Sequence, residues 1–212
     1  MTGVLNNVQL IKMLAKEKTD FNMVDFEELL NVIEDSAHRC IKITRSLLDF
    51  SHASKGEFRP VGINDVVEKV LTFVEHDMNL ENIKLEKLLA PNLPLVPGDT
   101  QLLQQVILDL VSNARWAIRK KTSGDGGIIT IKTEADIQDK GINVSITDTG
   151  VGIPKENLEK IFEPFFTTKE VGEGTGLGMA ITYSIVKVHQ GKIEVKSEEG
   201  MGTTVKIFLP GV

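Results

Sequence analysis

The chain has 212 residues, is 41% hydrophobic and carries a formal net charge of −6, so it is long enough for one large or two small domains with packed cores. The acidic balance argues against a broad nucleic-acid-binding surface, because such surfaces concentrate Lys and Arg. The single cysteine, Cys40, excludes an internal disulfide and a metal site built from several cysteines. We therefore expect a reducing, cytoplasmic location, and no apolar run approaches the ~20 residues that span a bilayer.

Residues 1–55 have the pattern of an antiparallel helical hairpin. No Pro or Gly occurs from Asp25 to Ser54, and apolar or small residues recur there in alternating steps of four and three, the heptad spacing of helix-on-helix packing. A shorter run with the same spacing precedes a polar stretch where the chain can reverse. The pattern predicts a hairpin that forms a four-helix bundle in a homodimer. The two runs are Phe26, Leu30, Ile33, Ala37, Cys40, Thr44, Leu47 and Ser51, and Val4, Val8, Ile11 and Ala15.

The predicted hairpin has arms of unequal length. If the chain reverses near residue 21, the second helix extends about 20 Å beyond the first. Apolar residues such as Ile43, Leu47 and Phe50 lie in that overhang, and a long exposed apolar stripe is unusual. We therefore expect roughly a dozen residues of the first helix to precede Met1. The alternative is that a dimer partner or the second domain covers the stripe.

Residues 56–212 predict a second domain of mixed secondary structure. Strands joined by both hairpins and helices favour an α+β fold, a mixed sheet of about five strands with helices on one face. Asn64 and Asp99 are the predicted N-caps of two helices, and Gly191 is the predicted C-terminal cap of a third. The predicted strands are 58–63, 80–89, 128–133, 142–147, 193–196 and 203–209, and the predicted helices are 64–78, 99–120, 155–161 and 175–189.

Two polar segments of this domain are candidates for ligand binding. Asp109 and Asn113 are four residues apart late in a helix, so they share a face, and their oxygens suit Mg²⁺. Asp148 follows an apolar strand and precedes Gly150 and Gly152, which let a ligand approach the backbone. A fixed carboxylate there accepts a hydrogen bond from an amino group such as that of adenine. Taken singly, each segment also fits an ordinary solvent-exposed pair or a capped turn.

Two further segments come later in the chain. Phe162 to Lys169 reads F-E-P-F-F-T-T-K, an aromatic cluster that suits either a docking lid or ordinary core. Glycines then alternate from Gly172 to Gly178 ahead of a predicted helix. The free N–H groups and the dipole at a helix start attract phosphate. The pattern favours a flexible flap that ends in a phosphate-binding helix terminus, and the competing interpretation is a loop with no ligand.

In order and spacing, these segments resemble the ATP-binding domain shared by sensor histidine kinases, type II topoisomerases, Hsp90 chaperones and MutL. The resemblance covers about residue 58 to the end, and the F-E-P-F-F-T-T-K wording points to histidine kinases in particular. The hairpin is similar to their dimerisation domain through T-G-V-L-N-N and S-L-L-D-F-S. The family's N, G1, F, G2 and G3 boxes are matched by Asp109–Asn113, Asp148–Gly152, Phe162–Phe166, Gly174–Gly178 and Gly200–Thr204.

The resemblance implies roles for individual residues. Asp148 would hold the adenine amine, Asn113 would hold Mg²⁺, and Asp109 and Asn113 are the expected catalytic residues. Thr203 would reach the adenine end through a water molecule. The other residues expected to contact the base, the phosphates or the lid are Arg115, Gly150, Gly152, Ile153, Thr168, Lys169, Gly174, Thr175, Gly176, Leu177 and Gly178.

The chain departs from the family pattern at the phosphoacceptor. The family's segment of His, an acidic residue, a basic residue and Pro is absent, and by alignment its histidine would lie about six residues before Met1. We expect the four histidines present to be solvated surface residues, not acceptors. This polypeptide is therefore expected to bind ATP without phosphorylating itself. The four are His38, His52, His76 and His189.

Two departures concern the N box. Asp109 stands where histidine kinases usually carry Asn and where the ATPase relatives carry Glu. A carboxylate there would weaken binding by repelling the triphosphate or would permit slow hydrolysis, but drift or an engineered change is the favoured explanation. Trp116 occupies the position where the family often places a basic residue, and the adjoining Arg115 is the expected substitute.

The favoured function is the catalytic core of a two-component sensor histidine kinase, which uses ATP and Mg²⁺. The γ-phosphoryl group would pass to a histidine of a helical domain and then to an aspartate of a response-regulator receiver domain. We expect no nucleic-acid partner and no membrane contact in this part, which would be the cytoplasmic portion of a longer sensor, either membrane-bound or free. The alternatives are an ATP-hydrolysing module of the topoisomerase or chaperone kind and a non-catalytic nucleotide-binding dimer scaffold.

Overall fold

A computed structural model describes residues 30, 31, 33, 58–122, 125–170 and 174–212. The chain divides into two compact units, Met1–Ser51 with Thr167–Thr175, and His52–Phe166 with Gly176–Val212. The predicted hairpin, its heptad seam, His38 and His52 lie outside the described residues apart from positions 30, 31 and 33, which are helical. The helices and strands between Arg59 and Pro210 belong to the second unit.

A five-stranded mixed sheet forms the centre of this second unit. Its strands are β2 (Ile83–Leu89), β4 (Gly127–Asp136), β5 (Gly141–Asp148), β6 (Lys192–Glu198) and β7 (Gly202–Pro210). They lie side by side in the order β2-β4-β5-β7-β6. Strand β2 pairs with β4 in parallel, and the other three pairings are antiparallel.

Four helices and a short two-stranded ribbon complete the described part of this unit. The ribbon pairs β1 (Arg59–Val61) with β3 (Val96–Gly98) antiparallel. The two long helices are amphipathic, and each buries one stripe of aliphatic residues. The helices are α1 (Ile63–Leu80), α2 (Thr100–Thr122), α3 (Lys155–Leu158) and α4 (Gly178–Val188).

The hydrophobic core lies between one face of the sheet and the helices. Along β4, Ile129, Ile131 and Thr133 are buried, whereas Ile128 before them and Lys132 between the last two are exposed. The same alternation continues in β7 and β6. Since successive side chains of a strand point to opposite faces, one face is covered and the other meets water. The predicted α+β class, with a five-stranded mixed sheet, is confirmed.

Several predicted boundaries are corrected by the structure. Asn64 is not an N-cap: Gly62 occupies that position, and the Asn64 amide donates to the carbonyl of Ala90 at 2.8 Å. The strand predicted over 80–89 begins at Ile83, since α1 continues to Leu80. Strand β3 was not predicted at all. Asp99 does cap α2, because its Oδ1 accepts from the N–H groups of residues 101 and 102 at 2.8 and 3.1 Å.

The last helix also differs from its prediction at both ends. It begins at Gly178, three residues later than predicted. At its C-terminal end the left-handed residue is Gln190, with φ 57°, not Gly191. Gly191 is needed for another reason, since a Cβ there would overlap the backbone carbonyl of Phe208. Among the described residues, no helix combines the length and the apolar character needed to cross a membrane.

Candidate functional site

Asp148 is the last residue of β5, and the sheet holds it in the interior. Only 7% of the residue is exposed. Its Oδ1 accepts a hydrogen bond from the N–H of Gly150 at 2.8 Å. Burial raises the pKa of the Asp148 carboxyl to about 6, although the backbone N–H groups of Gly150 and Thr203 and the charge of Lys121 oppose that shift. A carboxyl group in this setting is a strong acceptor for a ligand donor.

The loop after Asp148 is packed against α2. The N–H of Val151 donates to the carbonyl of Ala117 at 3.1 Å. A Cβ at Gly150 would lie 2.6 Å from the Ala117 side chain, so the loop and the helix touch without an intervening side chain. Lys121, one turn further along α2, donates to the carbonyl of Thr149 at 2.9 Å. The predicted base-pocket loop is therefore fixed to the helix that carries the N-box residues.

The turn between β6 and β7 closes the other side of Asp148. Thr203 lies directly opposite Asp148 in the antiparallel pairing and is 8% exposed. Gly202 adopts φ 121°, and a Cβ there would overlap the carbonyl of Asp148, so only glycine fits at this position. Gly152 likewise approaches the backbone of Glu198. The predicted residues Asp148, Gly150, Gly152 and Thr203 are thus neighbours.

Ser197 of β6 joins these segments and was not predicted. Its Oγ accepts from the N–H of Ile153 at 2.7 Å, donates to the carbonyl of Gly202 at 2.9 Å and lies 2.9 Å from Oγ1 of Thr203. A signal was present in the sequence, because Ser197 is the polar member of the inward-facing series Ile193, Val195, Ser197 in an alternating strand.

Asp109 and Asn113 lie on α2 opposite the first residue of α4. A Cβ at Gly178 would lie 4.0 Å from Nδ2 of Asn113 and 4.0 Å from Cγ of Asp109. The Oδ2 atom of Asp109 is buried. Asn113 precedes Ala117 by one helical turn, about 6 Å along the axis. Helix α2 therefore connects the loop after Asp148 to the start of α4, with the predicted catalytic pair between them.

The N-terminal end of α4 is shaped by Gly176. This residue has φ 68°, and a Cβ there would overlap the backbone of Phe165. The N–H of Phe165 donates to the carbonyl of Gly176 at 2.9 Å. Leu177 is the N-cap residue, and its own apolar side chain makes no capping hydrogen bond. A helix start without a side-chain cap leaves its N–H dipoles directed at whatever approaches Gly178.

Four predicted residues lie in the other unit, within Thr167–Thr175. They are Thr168, Lys169, Gly174 and Thr175. Inside that segment the N–H of Lys169 donates to Oγ1 of Thr167 at 3.1 Å. A Cβ at Gly174 would lie 2.8 Å from Cδ of Lys169. The role of these residues at phosphate stays a prediction.

Arg115 forms an ion pair on the side of α2 that faces α1. Its Nε donates to Glu81 at 2.7 Å, and its Nη1 lies 3.5 Å from Asp77. The hydrogen bond and charge of Arg115 lower the pKa of the Glu81 carboxyl, and Glu81 in turn raises the pKa of Arg115. Arg115 contacts carboxylates in this structure, so its predicted role at phosphate stays a prediction.

His189 corrects one expectation. It was predicted to be a solvated surface residue, but only 1% of it is exposed. Its ring hydrogen-bonds the backbone of Asp99 and of Ile185, and Phe58 stacks on it with ring centroids 4.9 Å apart. His76 is exposed as predicted.

Comparison with known proteins identifies the family. Residues 98–212 match the family described as "Histidine kinase-, DNA gyrase B-, and HSP90-like ATPase". The catalytic domain of histidine kinase ThkA is 33% identical with a TM-score of 0.63, and the alignment covers 73% of this chain and 96% of that domain. The chain belongs to the histidine kinases.

Other histidine kinases align along more of the chain. Sensor histidine kinase ZraS of Escherichia coli K12 is 34% identical over 209 residues, which is 98% of this chain and 43% of ZraS. Histidine kinase ThkA in complex with response regulator protein TrrA is 26% identical with a TM-score of 0.70, covering 99% of this chain and 58% of that one. The chain thus spans less than half the length of ZraS. Its site belongs to an ATP-binding histidine kinase catalytic domain.

Proposed function

We propose that the chain is the Mg²⁺-ATP-binding catalytic core of a two-component sensor histidine kinase. The observation that supports this proposal most directly is the set of contacts that helix α2 makes. Ala117 of α2 contacts the loop after Asp148, and Asn113 and Asp109 lie one and two turns earlier, beside Gly178. A nucleotide whose base lies at Asp148 would therefore have its phosphates directed along α2 towards the start of α4.

At the base end, Asp148 accepts a hydrogen bond from the adenine amine. Gly150 and Gly152 line the pocket, Ile153 comes next in the chain, and Thr203 contributes through a water molecule. The buried setting supports this role, because a hydrogen bond to a carboxylate is strengthened where water is excluded.

At the phosphate end, Asn113 holds Mg²⁺ through its amide oxygen, with Asp109 beside it. Among the described residues, no three His, Cys, Asp or Glu side chains form a group that could hold a metal. The amide of Asn113 with the carboxylate of Asp109 beside it fits Mg²⁺, because this ion usually takes one or two protein oxygens and completes its shell with water and phosphate. When bound, Mg²⁺ would neutralise phosphate charge. The N–H groups at Gly178 and the lid residues Thr168, Lys169, Gly174, Thr175, Gly176 and Leu177 hold the phosphates.

The chain's own residues act mainly by positioning and by charge stabilisation. The γ-phosphoryl group passes to a histidine of a helical domain and then to an aspartate of a response-regulator receiver domain. Residues 1–55 form the dimerising hairpin and residues 56–212 the catalytic domain. The acceptor histidine is not among the four of this chain, and the expected location is cytoplasmic. Arg115 would contact the phosphates only if its side chain left the ion pair with Glu81.

Calorimetric titration with ATP, with and without Mg²⁺, tests the proposal. Asp148→Asn removes the charged acceptor, and a hydrogen bond to a charged group is worth about 1.5–3 kcal/mol, so we expect affinity to fall about tenfold to a hundredfold. Asp136→Asn is the matched control, since Asp136 also ends a strand of the sheet and accepts a backbone hydrogen bond. The ATP affinity of Asp136→Asn should equal that of the parent chain.

A second pair of variants tests the phosphate end. Asn113→Ala should abolish the gain in affinity that Mg²⁺ gives, whereas Ser112→Ala, exposed on the same helix, should keep it. Unchanged ATP affinity in Asp148→Asn would exclude the proposed base site. An acid-labile phosphoryl group on the isolated chain after incubation with γ-labelled ATP would show that one of its own histidines is an acceptor.

A further inference from the structure

The Ser197 hydroxyl connects three groups of the site, and its hydrogen bonds can be accounted for proton by proton. The carbonyl of Gly202, 2.9 Å away, can only accept, so the single proton of Ser197 goes there. The N–H of Ile153, 2.7 Å away, can only donate, so it occupies one lone pair of Ser197. The remaining lone pair faces Oγ1 of Thr203 at 2.9 Å.

These hydrogen bonds fix the direction of the Thr203 hydroxyl. Ser197 has no second proton to give, so the proton of Thr203 must point to Ser197. Thr203 then has only lone pairs left for any other partner. The hydroxyl of an isolated threonine rotates freely, whereas here Ser197 on β6 determines the orientation of its proton.

Thr203 lies next to the base acceptor. It is directly opposite Asp148 across β5 and β7, and Ser197 is directly opposite Thr203 across β7 and β6. Directly opposite residues on one face of an antiparallel sheet have Cβ atoms about 4.5–5.5 Å apart. Ser197, Thr203 and Asp148 therefore form a row on the covered face, and once the Asp148 carboxyl is ionised both it and Thr203 offer acceptors only.

We propose that Ser197 is a specificity-determining residue, which holds Thr203 as an acceptor so that the pocket selects a purine with an amino group and rejects one with a carbonyl at the same position. The inference rests on the proposed placement of the base at Asp148. A carbonyl oxygen facing two acceptors, or facing a water molecule that must donate to both, has no partner, and an unpartnered buried polar group is costly. Adenine presents an amine there, and hypoxanthine presents a carbonyl.

The test compares the affinities of ATP and ITP by calorimetry in the presence of Mg²⁺. The two bases differ in the group at position 6 and in the proton that hypoxanthine carries on the neighbouring N1. The parent chain should prefer ATP. In Ser197→Ala the Thr203 hydroxyl is released and can donate to the carbonyl, so the ATP-to-ITP affinity ratio should fall about fivefold, the equivalent of one ordinary hydrogen bond. Ser197→Thr keeps the hydroxyl and should restore the ratio.

Thr147→Ala is the matched control. Thr147 of β5 and Thr204 of β7 form a comparable hydroxyl pair at 3.0 Å, one position along from Asp148 and Thr203 and on the opposite face of the sheet. The ATP-to-ITP affinity ratio of Thr147→Ala should equal that of the parent chain. If Ser197→Ala does not fold, Thr203→Val removes the acceptor that Ser197 orients, and it should also lower the ratio.

An equal loss of affinity for both nucleotides in Ser197→Ala would overturn the inference, because a purely structural residue would act on both alike. Equal binding of ATP and ITP by the parent chain, or a preference unaffected by Asp148→Asn, would instead refute the proposed base site and the inference with it. A lowered ratio in Thr147→Ala would also count against Ser197, since it would mean that any loosened strand pair relaxes the selection.

Discussion

Nε2 of His189 accepts a hydrogen bond from the backbone N–H of Asp99 at 3.0 Å, while Nδ1 lies 2.8 Å from the carbonyl of Ile185. The N–H can only donate and the carbonyl can only accept, so the ring is neutral with its proton on Nδ1. Asp99 caps the start of α2, and His189 follows the end of α4. One imidazole therefore joins two helices that also approach each other at Gly178 and Asn113.

This relationship predicts that protonation of His189 opposes folding. Burial lowers the pKa of His189, although the Ile185 carbonyl and the Asp99 carboxylate oppose that shift, so the neutral form is favoured in the folded state. In the unfolded chain the pKa returns to its ordinary value of about 6.5. The contribution to stability is then complete above that pH and is lost as pH falls below it, with a slope of at most about 1.4 kcal/mol per pH unit.

Urea unfolding between pH 5 and pH 8 measures that slope. His189→Gln cannot be protonated and should reduce the loss of stability on acidification, whatever its own stability at pH 8. His76→Gln, at an exposed position of α1, should behave like the parent chain. Equal slopes in the parent chain and His189→Gln would mean that protonation of His189 is not coupled to unfolding.

Asp148 predicts a pH dependence of nucleotide binding. Since burial raises the pKa of this carboxyl to about 6 in the absence of ligand, the charged acceptor is complete well above pH 6 and is lost as pH falls through it. ATP affinity should decrease between pH 7 and pH 5. The phosphates of ATP also titrate, so the profile of Asp148→Asn provides the baseline. Profiles that run parallel would exclude ionised Asp148 as the acceptor.

Gly178→Ala should separate stability from binding. The nearest atoms to a Cβ at this position are 4.0 Å away, so alanine fits, and its higher helix propensity adds up to about 1 kcal/mol of stability. The methyl group would nevertheless occupy the approach to the helix start, so ATP affinity should fall about tenfold or more, the loss of one charge-assisted hydrogen bond. Ser184→Ala, further along α4, is the control for both thermal unfolding and titration. Undiminished affinity would place the phosphates elsewhere.

Asp109→Asn tests what the carboxylate does beside Asn113. If Asp109 faces the triphosphate, removing its charge should raise ATP affinity about fivefold, since two like charges a few ångströms apart near a protein surface repel by roughly 1 kcal/mol or more. Any slow release of phosphate should fall at the same time, as measured by a coupled phosphate assay. The exposed Asp125→Asn is the control. A fall in affinity would show that Asp109 contributes binding rather than repulsion.

Elements set by local sequence were predicted well. The Asp99 cap of α2, its buried stripe and the antiparallel pair β6–β7 depend on residues close in the chain, and the structure confirms them. The Asn64 cap failed because a distant partner takes the side chain, the carbonyl of Ala90. Strand β3 has three residues and exists through its pairing with β1, which no local pattern reveals.

In the candidate site, too, features that depend on local sequence could be predicted and features that depend on distant contacts could not. Motif spacing predicts that Asp148 and Asn113 belong to the site, but it gives no sign of Ala117, whose importance arises from the approach of Gly150 in space. The prediction of a surface position for His189 was wrong because nothing in its sequence neighbourhood shows that Gly98 leaves room for its ring; a Cβ at Gly98 would lie 2.7 Å from the imidazole. The position of Ser197 in the inward-facing series of β6 could have been recognised from the sequence. Its hydrogen bonds could not, because they depend on contacts in space.

The single parallel pairing of the sheet bears on the order of assembly. Strand β2 lies beside β4, yet β3 and the whole of α2 separate them in the chain, so that edge cannot form by closing a short hairpin, as β4–β5 and β6–β7 can. Amides of β2 should consequently exchange with solvent deuterium sooner than those of β5, at the centre of the sheet. A kinase domain that opens first along this edge would keep β5, β6 and β7, the strands of the proposed base site, intact during brief excursions from the native state.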